Sequence, residues 1–384
     1  MKTILVSLVS EQTVPNVLVA EHFRPINFYW LITTSRMENE GKTRCLENAL
    51  KLKGHSITEI SIRKEIVNQD SLSECIGKLE EMINSIDEEA EYVVNITGGN
   101  KIMAIAALEV FRDIGQKVIV VYMPLGNNNF IQIYPKKKPL KTFEIPERLN
   151  LEEYLSCYGF QIKNKEKLSS TVSNSLSREP LSHWILHNYE GLKGLLGFLY
   201  KNIGHKRNEA RVGVSDKFNR EPSKLEKELL RSLGFKLKNG VIEKELKKDE
   251  IIYLTGGWFE EYVFNEGYKM IQKNLITDVK MGIQISSISG ADNELDVAFM
   301  KDNTFYHIEC KTLGKEAEQS FIRDEVYKKG AISPLLGKGG KAFICTTQTS
   351  IKPSLSDRAR DYNIVILNLE QARNLQNELS ERIK

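Results

Sequence analysis

Over residues 1–135, short apolar runs alternate with longer amphipathic segments. Runs such as residues 118–121 (Val-Ile-Val-Val) have no polar residue at alternate positions, which is typical of strands covered on both faces. Because helical patterns separate the runs, they predict a parallel sheet with right-handed crossovers. The predicted strands are 4–9, 28–33, 57–62, 92–96, 117–123 and 130–134, and the predicted helices are 42–53, 71–86 and 101–114. We therefore expect a Rossmann-like α/β domain here.

The pattern breaks at a Pro-Lys-Lys-Lys-Pro run after residue 134 and becomes regular again near residue 250. In between, the composition predicts a loop at 169–177, helices at 184–200 and 221–233, and a small winged-helix-like connector. The last part predicts a second α/β unit, with helices at 258–273, 316–329 and 354–362 and strands at 295–300, 305–311, 342–346 and 364–367. The expected division is 1–140, 141–248 and 249–384.

Composition narrows this picture only a little. Of the 384 residues, 41% are hydrophobic and 27% charged, as in ordinary globular proteins, and no apolar run is long enough to span a membrane. The five cysteines are scattered without a CxxC pair, which argues against disulfides and structural zinc and favours a cytoplasmic location. The net charge of +3 neither requires nor excludes a nucleic-acid partner.

Residues 294–311 carry the most chemical information. Two β-rich runs flank Lys-Asp-Asn-Thr at 301–304, which has the composition of a turn. A hairpin centred between Asp302 and Asn303 places Asp296 opposite Glu309, with the two side chains on one face about 5 Å apart at Cβ. Lys311 lies two residues beyond Glu309 and projects from the same face. The spacing thus predicts two carboxylates and a lysine in one cluster.

Two carboxylates this close repel each other unless a proton or a cation lies between them. Hard oxygen ligands suit Mg²⁺ or Mn²⁺, and the Cys310 carbonyl is a further oxygen donor beside Asp296 and Glu309. A neighbouring lysine such as Lys311 can orient a water molecule and offset charge on a phosphate. Surface ion pairs on a solvated hairpin have the same spacing, so the residues alone leave that alternative open.

The segment resembles the PD-(D/E)XK nuclease superfamily, in which an acidic residue on one strand precedes a Glu-x-Lys on the next. Asp296 and the Glu309-Cys310-Lys311 run match this pattern, although Leu295 stands where the family name has proline. The resemblance implies that Asp296, Glu309 and Lys311 are catalytic, with Asp296, Glu309 and the Cys310 carbonyl at a metal. It also implies an acidic residue on the preceding helix, for which Glu260 is the preferred candidate and Glu261 the alternative.

In the first domain, residues 92–103 run from a predicted strand through Thr97-Gly98-Gly99-Asn100-Lys101 into a helix. Glycines and a helix N-terminus let backbone amides approach an anionic ligand. The sequence is neither a dinucleotide-binding nor a P-loop motif. Two further loops follow predicted strands and contribute polar side chains at the same sheet edge, where open parallel sheets bind ligands; helix capping is the alternative role of these side chains. The side chains are Ser10, Gln12, Thr34 and Ser35.

These loops resemble the CRISPR-associated Rossmann fold (CARF), whose members carry Asn-x-Thr-Gly-Gly-x-Lys-x-Met after a strand. The match runs from Asn95 to Met103. Together with the Glu-x-Lys segment, it makes the chain similar to the ancillary nucleases of type III CRISPR systems. The resemblance implies a homodimeric, metal-dependent endonuclease cutting DNA or RNA, activated by a cyclic oligoadenylate, most often cyclic tetra-adenylate, held by the three loops.

Two other functions fit parts of the sequence. A ligand-sensing transcription regulator would use the connector to bind DNA, but it has no need of Asp296, Glu309 and Lys311. A ring nuclease would degrade the cyclic ligand within the first domain, but the three loops contain no histidine to act as a base.

Overall fold

The computed structural model describes residues 2–383, apart from 87–88, 115–116, 125, 138, 219, 289 and 313–318. The chain forms an N-terminal sheet with helices, a middle segment with a small sheet, and a C-terminal sheet with helices. None of the helices in the described part of the chain is long and apolar enough to cross a membrane.

The N-terminal unit has the predicted Rossmann-like architecture. Its elements are β1 (Lys2–Leu8), α1 (Val14–His22), β2 (Phe28–Thr33), α2 (Ser35–Asn39), α3 (Lys42–Leu52), β3 (Ile62–Ile66), α4 (Leu72–Asn84), β4 (Ala90–Asn95), α5 (Lys101–Asp113), β5 (Val118–Tyr122), β6 (Asn129–Tyr134) and β7 (Thr142–Glu144). The sheet order is β3-β2-β1-β4-β5-β6-β7, parallel from β3 to β5 and antiparallel from β5 to β7.

Two local predictions in this unit are wrong. The strand expected at 57–62 begins only at Ile62, because the preceding residues form a turn in which the Ser61 hydroxyl accepts from the Thr58 N–H at 2.8 Å and Ile60 is exposed. The loop expected after β1, at 10–16, ends earlier than expected, because residues 14–16 belong to α1. Pro15 lies in the first turn of this helix, where its missing N–H leaves no hydrogen bond unmade.

The middle segment contains α6 (Leu151–Cys157), β8 (Phe160–Ile162), α7 (Lys165–Ser177), α8 (Glu179–His187), α9 (Tyr189–Ile203), β9 (Arg211–Lys217), α10 (Lys224–Ser232), β10 (Lys236–Lys238), β11 (Val241–Lys247) and α11 (Lys248–Ile252). Strands β9 to β11 form an antiparallel sheet in the order β10-β11-β9. The winged-helix-like character of this segment stays a prediction.

The prediction of a loop at 169–177 is also wrong, because these residues belong to α7. Leu168, Val172 and Leu176 recur every four residues along α7 and pack inward, and the Ser175 hydroxyl donates to the Asn265 side chain at 3.2 Å. Tertiary packing therefore outweighs the polar composition of this stretch. The helix predicted at 184–200 is divided at Asn188 between α8 and α9.

The C-terminal unit contains α12 (Trp258–Gln272), β12 (Asp278–Ser287), β13 (Asp292–Lys301), β14 (Thr304–Lys311), α13 (Gln319–Ile332), β15 (Ala342–Thr346), α14 (Pro353–Asp361), β16 (Ile364–Leu367), α15 (Leu369–Arg373) and α16 (Leu375–Arg382). The sheet order is β16-β15-β14-β13-β12-β8, so β8 of the middle segment completes this sheet. Strand β12 was not predicted, and residues 316–318 of the predicted helix 316–329 lie outside the described residues.

One apolar cluster connects the N-terminal and C-terminal units. It contains Leu5 and Val17 from the first unit, Leu155 from α6, and Met300 and Phe305 from the β13–β14 hairpin. Burial of apolar side chains from both units in one cluster favours a fixed arrangement of the two.

Candidate functional site

The β13–β14 hairpin has the predicted register. Met300 pairs with Phe305 and Val297 with Ile308. Asp302 and Asn303 form the two-residue turn, with φ of 47° and 61° respectively. Positive φ at both central residues is the geometry that tight hairpins require, and asparagine and aspartate tolerate it. The sequence therefore fixes which side chains reach the far end of the hairpin.

Asp296 reaches across to β14 at that far end. Its Oδ2 atom accepts a hydrogen bond of 2.7 Å from the Cys310 N–H. The predicted pairing of Asp296 with Glu309 lies one position beyond the last pair of the ladder. On the other side of β13, Gly282 has a φ of +59° and falls between two ladder pairs, so β12 is distorted next to Asp296.

Glu309 is buried between two lysine side chains. The Lys311 ammonium lies 2.8 Å from Glu309 Oε1, and the Lys329 ammonium of α13 contacts Glu309 Oε2. Burial alone would raise the pKa of Glu309, but the two ammonium groups lower it to about 2. Conversely, Glu309 raises the pKa of Lys311 despite burial. Glu309 is therefore ionised at neutral pH.

Glu260 joins the cluster from the first turn of α12. The chain bends sharply just before this helix, where Gly256 has a φ of +136°, and Arg207 reaches in from after α9 to donate to the Thr255 hydroxyl at 2.7 Å. Burial and repulsion by Glu294 and Glu309 raise the pKa of Glu260 to about 7, while Arg207 and Lys311 oppose this. Glu261, the alternative candidate, instead pairs with Arg178 on the other side of the helix.

The pKa of Asp296 is raised well above its ordinary value, by burial and then by Glu309 and Glu260. Glu260, Asp296, Glu309 and Lys311 thus interact electrostatically. The hairpin spacing predicted that Asp296, Glu309 and Lys311 lie together, and the family resemblance implied Glu260. The sequence interpretation missed two cations of this site, Arg207 and Lys329. Arg207 carries no local sequence signal, whereas Lys329 lies on the apolar stripe of a predicted helix.

A divalent cation fits this donor set chemically. Burial, and then repulsion between neighbouring carboxylates, raises the pKa of Glu260 and of Asp296, and a bound cation relieves that repulsion. Within the described ranges, no three Asp, Glu, His or Cys side chains converge tightly enough to enclose an ion. Water and phosphate oxygens would complete the coordination, as is usual for Mg²⁺. The Cys310 carbonyl as a ligand stays a prediction, while its side chain is buried in the apolar layer with Tyr306 and Ile308.

Other residues near the site differ in their exposure. His307 is buried beside Glu309, and burial together with Lys329 lowers its pKa to about 3, so the ring is neutral. On α13, Lys328 is exposed and lies 3.8 Å from Glu325, whereas Arg323 lines a surface groove with Lys352 and Arg358.

The loops predicted to bind a ligand meet at one edge of the N-terminal sheet. Ser10 and Gln12 line two neighbouring cavities, one shared with Thr34, Gly99 and Asn100 and the other with Thr97. Several of these side chains also make the alternative, structural contacts. Thr34 and Asn100 cap α2 and α5, and the Thr97 hydroxyl accepts from the Met123 N–H at 2.9 Å.

Ser35 and Lys101 are exposed at the starts of α2 and α5. Gly98 lies against β1, so that a Cβ atom would fall on the Leu8 carbonyl oxygen. This close approach, rather than an unusual φ, requires glycine at position 98. Ser35, Gly98 and Lys101 do not line either of the two cavities.

Family models match both ends of the chain. Residues 4–154 match the Card1 CARF domain, and residues 247–384 match the Card1-like endonuclease domain. Together they cover the three loops at the edge of the N-terminal sheet and the cluster of Glu260, Asp296, Glu309 and Lys311. No curated protein sequence matches the chain significantly.

Solved structures share the fold over nearly the whole chain. Protein VC1899 from Vibrio cholerae is 18% identical, with a TM-score of 0.80, over 99% of this chain and 97% of its own. Can2 from Sulfobacillus thermosulfidooxidans, solved in complex with cyclic tetra-adenylate, is 21% identical, with a TM-score of 0.78, over 100% of this chain and 99% of its own. A type III CRISPR defence DNA nuclease activated by cyclic oligoadenylate is 16% identical, with a TM-score of 0.59, over 96% of this chain and 48% of its own.

Proposed function

The chain belongs to the Card1-like family, in which a CARF domain is joined to an endonuclease domain, and we propose that it is a metal-dependent nuclease of type III CRISPR defence activated by a cyclic oligoadenylate. One observation carries the proposal. Asp296, Glu309 and Lys311 lie on a hairpin whose opposite end packs against the CARF domain, and Glu260 of α12 joins them. This arrangement supports a cleavage site that is controlled from the CARF domain of the same chain.

The proposed activator is cyclic tetra-adenylate. The cavities at the carboxyl edge of the N-terminal sheet offer the polar groups of Ser10, Gln12, Thr34 and Asn100, and Lys101 is exposed at the start of α5. A helix N-terminus and a lysine suit phosphates, while hydroxyl and amide groups suit bases and ribose. The Can2 structure in complex with cyclic tetra-adenylate supports this choice.

A ring of four adenylates has approximate two-fold symmetry. We therefore propose a homodimer in which the same loops of both protomers face the ring across an isologous interface. The ligand can activate the nuclease only if it binds the active arrangement more tightly than the inactive one.

The chain's own groups have distinct proposed roles in cleavage. Asp296 and Glu309, with the Cys310 carbonyl, hold Mg²⁺ or Mn²⁺, and Glu260 supports the site from α12. A bound ion would supply Lewis acidity to the scissile phosphate and to a water molecule. The Lys311 ammonium orients the attacking water and offsets the charge that develops on the phosphate. The DNA nuclease among the similar structures supports a nucleic-acid substrate, with RNA the alternative.

A cleavage assay tests the proposal. Labelled single-stranded DNA, single-stranded RNA and supercoiled plasmid are incubated with the protein and Mn²⁺ or Mg²⁺, with and without cyclic tetra-adenylate. We expect cleavage that depends on both the metal and the activator and falls at least a hundredfold in Glu309→Gln. Asp324→Asn, at an exposed position on α13, is the matched control and should cut normally.

No cleavage of any substrate by the wild-type protein would contradict the proposed function. Cleavage by Glu309→Gln at the wild-type rate would contradict the assignment of the site.

A further inference from the structure

Lys329 is buried although it carries a charged side chain. Helix α13 buries Ile322, Glu325, Val326 and Lys329, which are spaced three and four residues apart and so form one face. Lys329 is only 1% exposed. A lysine is almost never buried to this extent without a partner, and its partner here is Glu309 Oε2.

Lys311 and Lys329 have different surroundings although both contact Glu309. Lys311 is attached to the same strand as Glu309, and its ammonium also lies 3.7 Å from Glu325 and 5.6 Å from the centre of the Phe321 ring. Lys311 retains some exposure, whereas Lys329 is enclosed. Only Lys311 is therefore placed to exchange its carboxylate contact for a substrate group.

If Lys311 turned from Glu309 to a phosphate, a single-lysine site would leave Glu309 with no ammonium partner, and only the proposed metal ion, shared with Asp296, would balance its charge. Leaving a buried carboxylate incompletely balanced carries a large energetic cost. The Lys329 ammonium, which α13 holds against Glu309 Oε2, removes this cost because it stays in place when Lys311 moves. His307, the other titratable side chain next to Lys329 on β14, is neutral and does not supply this charge.

We infer that Lys329 is a positioning residue of the nuclease centre, which keeps Glu309 charge-balanced and oriented so that Lys311 is free to act on the substrate. The inference rests on the function proposed above for Glu309 and Lys311. It assigns to α13 a part in the reaction that the Asp296, Glu309 and Lys311 pattern does not contain. Lys329 acts through Glu309 and does not itself contact the substrate.

The first test measures stability and needs no catalytic activity. Urea unfolding is compared for the wild type, Lys329→Met, Glu309→Gln and the double variant. If Lys329 balances Glu309, Lys329→Met lowers the urea midpoint strongly, and the double variant is more stable than the sum of the two single effects predicts. Additive effects at positions 329 and 309 would overturn the inference.

The second test separates positioning from a merely structural role. At a temperature where each variant is folded by circular dichroism, Lys329→Met should lower kcat at least tenfold and change KM less than twofold. Lys328→Met is the matched control, because Lys328 is the adjacent, exposed lysine, and both constants should stay within twofold. Lys329→Gln, which keeps a donor but removes the charge, replaces Lys329→Met if the latter does not fold.

A folded Lys329→Met or Lys329→Gln protein with wild-type turnover would overturn the inference, even if its stability is reduced. If the wild-type protein cleaves no nucleic acid, the proposed function fails, and the coupling between positions 329 and 309 in urea still decides whether Lys329 serves Glu309.

Discussion

The Tyr158 hydroxyl donates a hydrogen bond of 2.9 Å to the amide oxygen of Gln12, which also accepts from the Lys338 N–H at 3.1 Å. Gln12 belongs to a loop predicted to bind the activator, Tyr158 follows α6, and Lys338 precedes β15. One side chain therefore joins the carboxyl edge of the N-terminal sheet to the segment that connects α13 with the C-terminal sheet.

Replacing Tyr158 with phenylalanine removes one of these two bonds without removing the ring. We expect the free energy of unfolding to fall by about 0.5–1.5 kcal/mol, the usual net contribution of one such bond. Tyr122→Phe is the control. Tyr122 and Tyr158 both line the cavity that contains Thr97, but Tyr122 is 40% exposed, so its effect should stay within about 0.5 kcal/mol. Equal stability of the two variants in urea would show that the Gln12 contact is energetically unimportant.

Gly98→Ala tests the close approach of the glycine loop to β1. The new methyl group would meet the Leu8 carbonyl oxygen, which is backbone and has little freedom to move. We expect the free energy of unfolding, measured by thermal unfolding, to fall by about 1–3 kcal/mol, and the proposed activator to bind more weakly. In contrast, a Cβ at Gly197, inside α9, meets no atom within 4 Å. Gly197→Ala should therefore stabilise the protein by about 0.5–1 kcal/mol, and a stabilising Gly98→Ala would contradict the packing argument.

Asn303 has two roles that substitution can separate. Its positive φ forms the turn, while its side chain accepts from the Leu149 N–H at 2.8 Å and donates to the Glu147 carbonyl at 2.9 Å. Asn303→Gly keeps the turn and loses the anchor, whereas Asn303→Ala loses both. In chemical unfolding, we expect the free energy of unfolding to fall by about 1–3 kcal/mol in Asn303→Gly and by more in Asn303→Ala. Alanine tolerated as well as glycine would mean that the turn conformation contributes little.

The parts of the site that lie on one hairpin could be predicted from the sequence. Register in a tight hairpin follows from the turn residues and the two-residue period of strands, so Asp296, Glu309 and Lys311 were brought together correctly. Glu260 required the helix before the hairpin, and it was found through the family resemblance. These predictions depend on local periodicity or on a known pattern.

Arg207 and Lys329 could not be assigned in the same way. Arg207 reaches the site only because the segment after α9 packs next to the bend before α12. Lys329 lies inside a predicted helix, but which face of α13 turns inward depends on how the helix packs against β14. Long-range packing also decided the structure of α7, whose polar composition had indicated a loop.

Glu309 should make the protein sensitive to acid. Its pKa is lowered to about 2 in the folded chain, so its ionised form stabilises the fold above the ordinary pKa of 4.5, and this stabilisation is lost as the pH falls through about 2. The contribution is on the order of 3 kcal/mol. Unfolding measured from pH 6 to pH 2 should show a smaller acid loss in Glu309→Gln than in the wild type. Parallel pH profiles of the two proteins would exclude Glu309 as a source of acid sensitivity.

Glu260 has the opposite effect on the pH dependence of stability. Because its pKa is raised to about 7, the protonated form favours folding at low pH, and this stabilisation is lost as the pH rises from 4.5 through about 7. At pH 8 the charged carboxylate is therefore unfavourable, and Glu260→Gln should be more stable than the wild type by about 1–3 kcal/mol in urea while losing nuclease activity. A Glu260→Gln protein less stable than the wild type at pH 8 would show that Glu260 is not repelled by its neighbours.

Metal binding should relieve the same repulsion. At pH 8, millimolar Mn²⁺ should raise the melting temperature of the wild type, because a cation replaces the missing proton, and should raise that of Asp296→Asn much less. Equal shifts with Mn²⁺ in the two proteins would mean that the ion binds elsewhere.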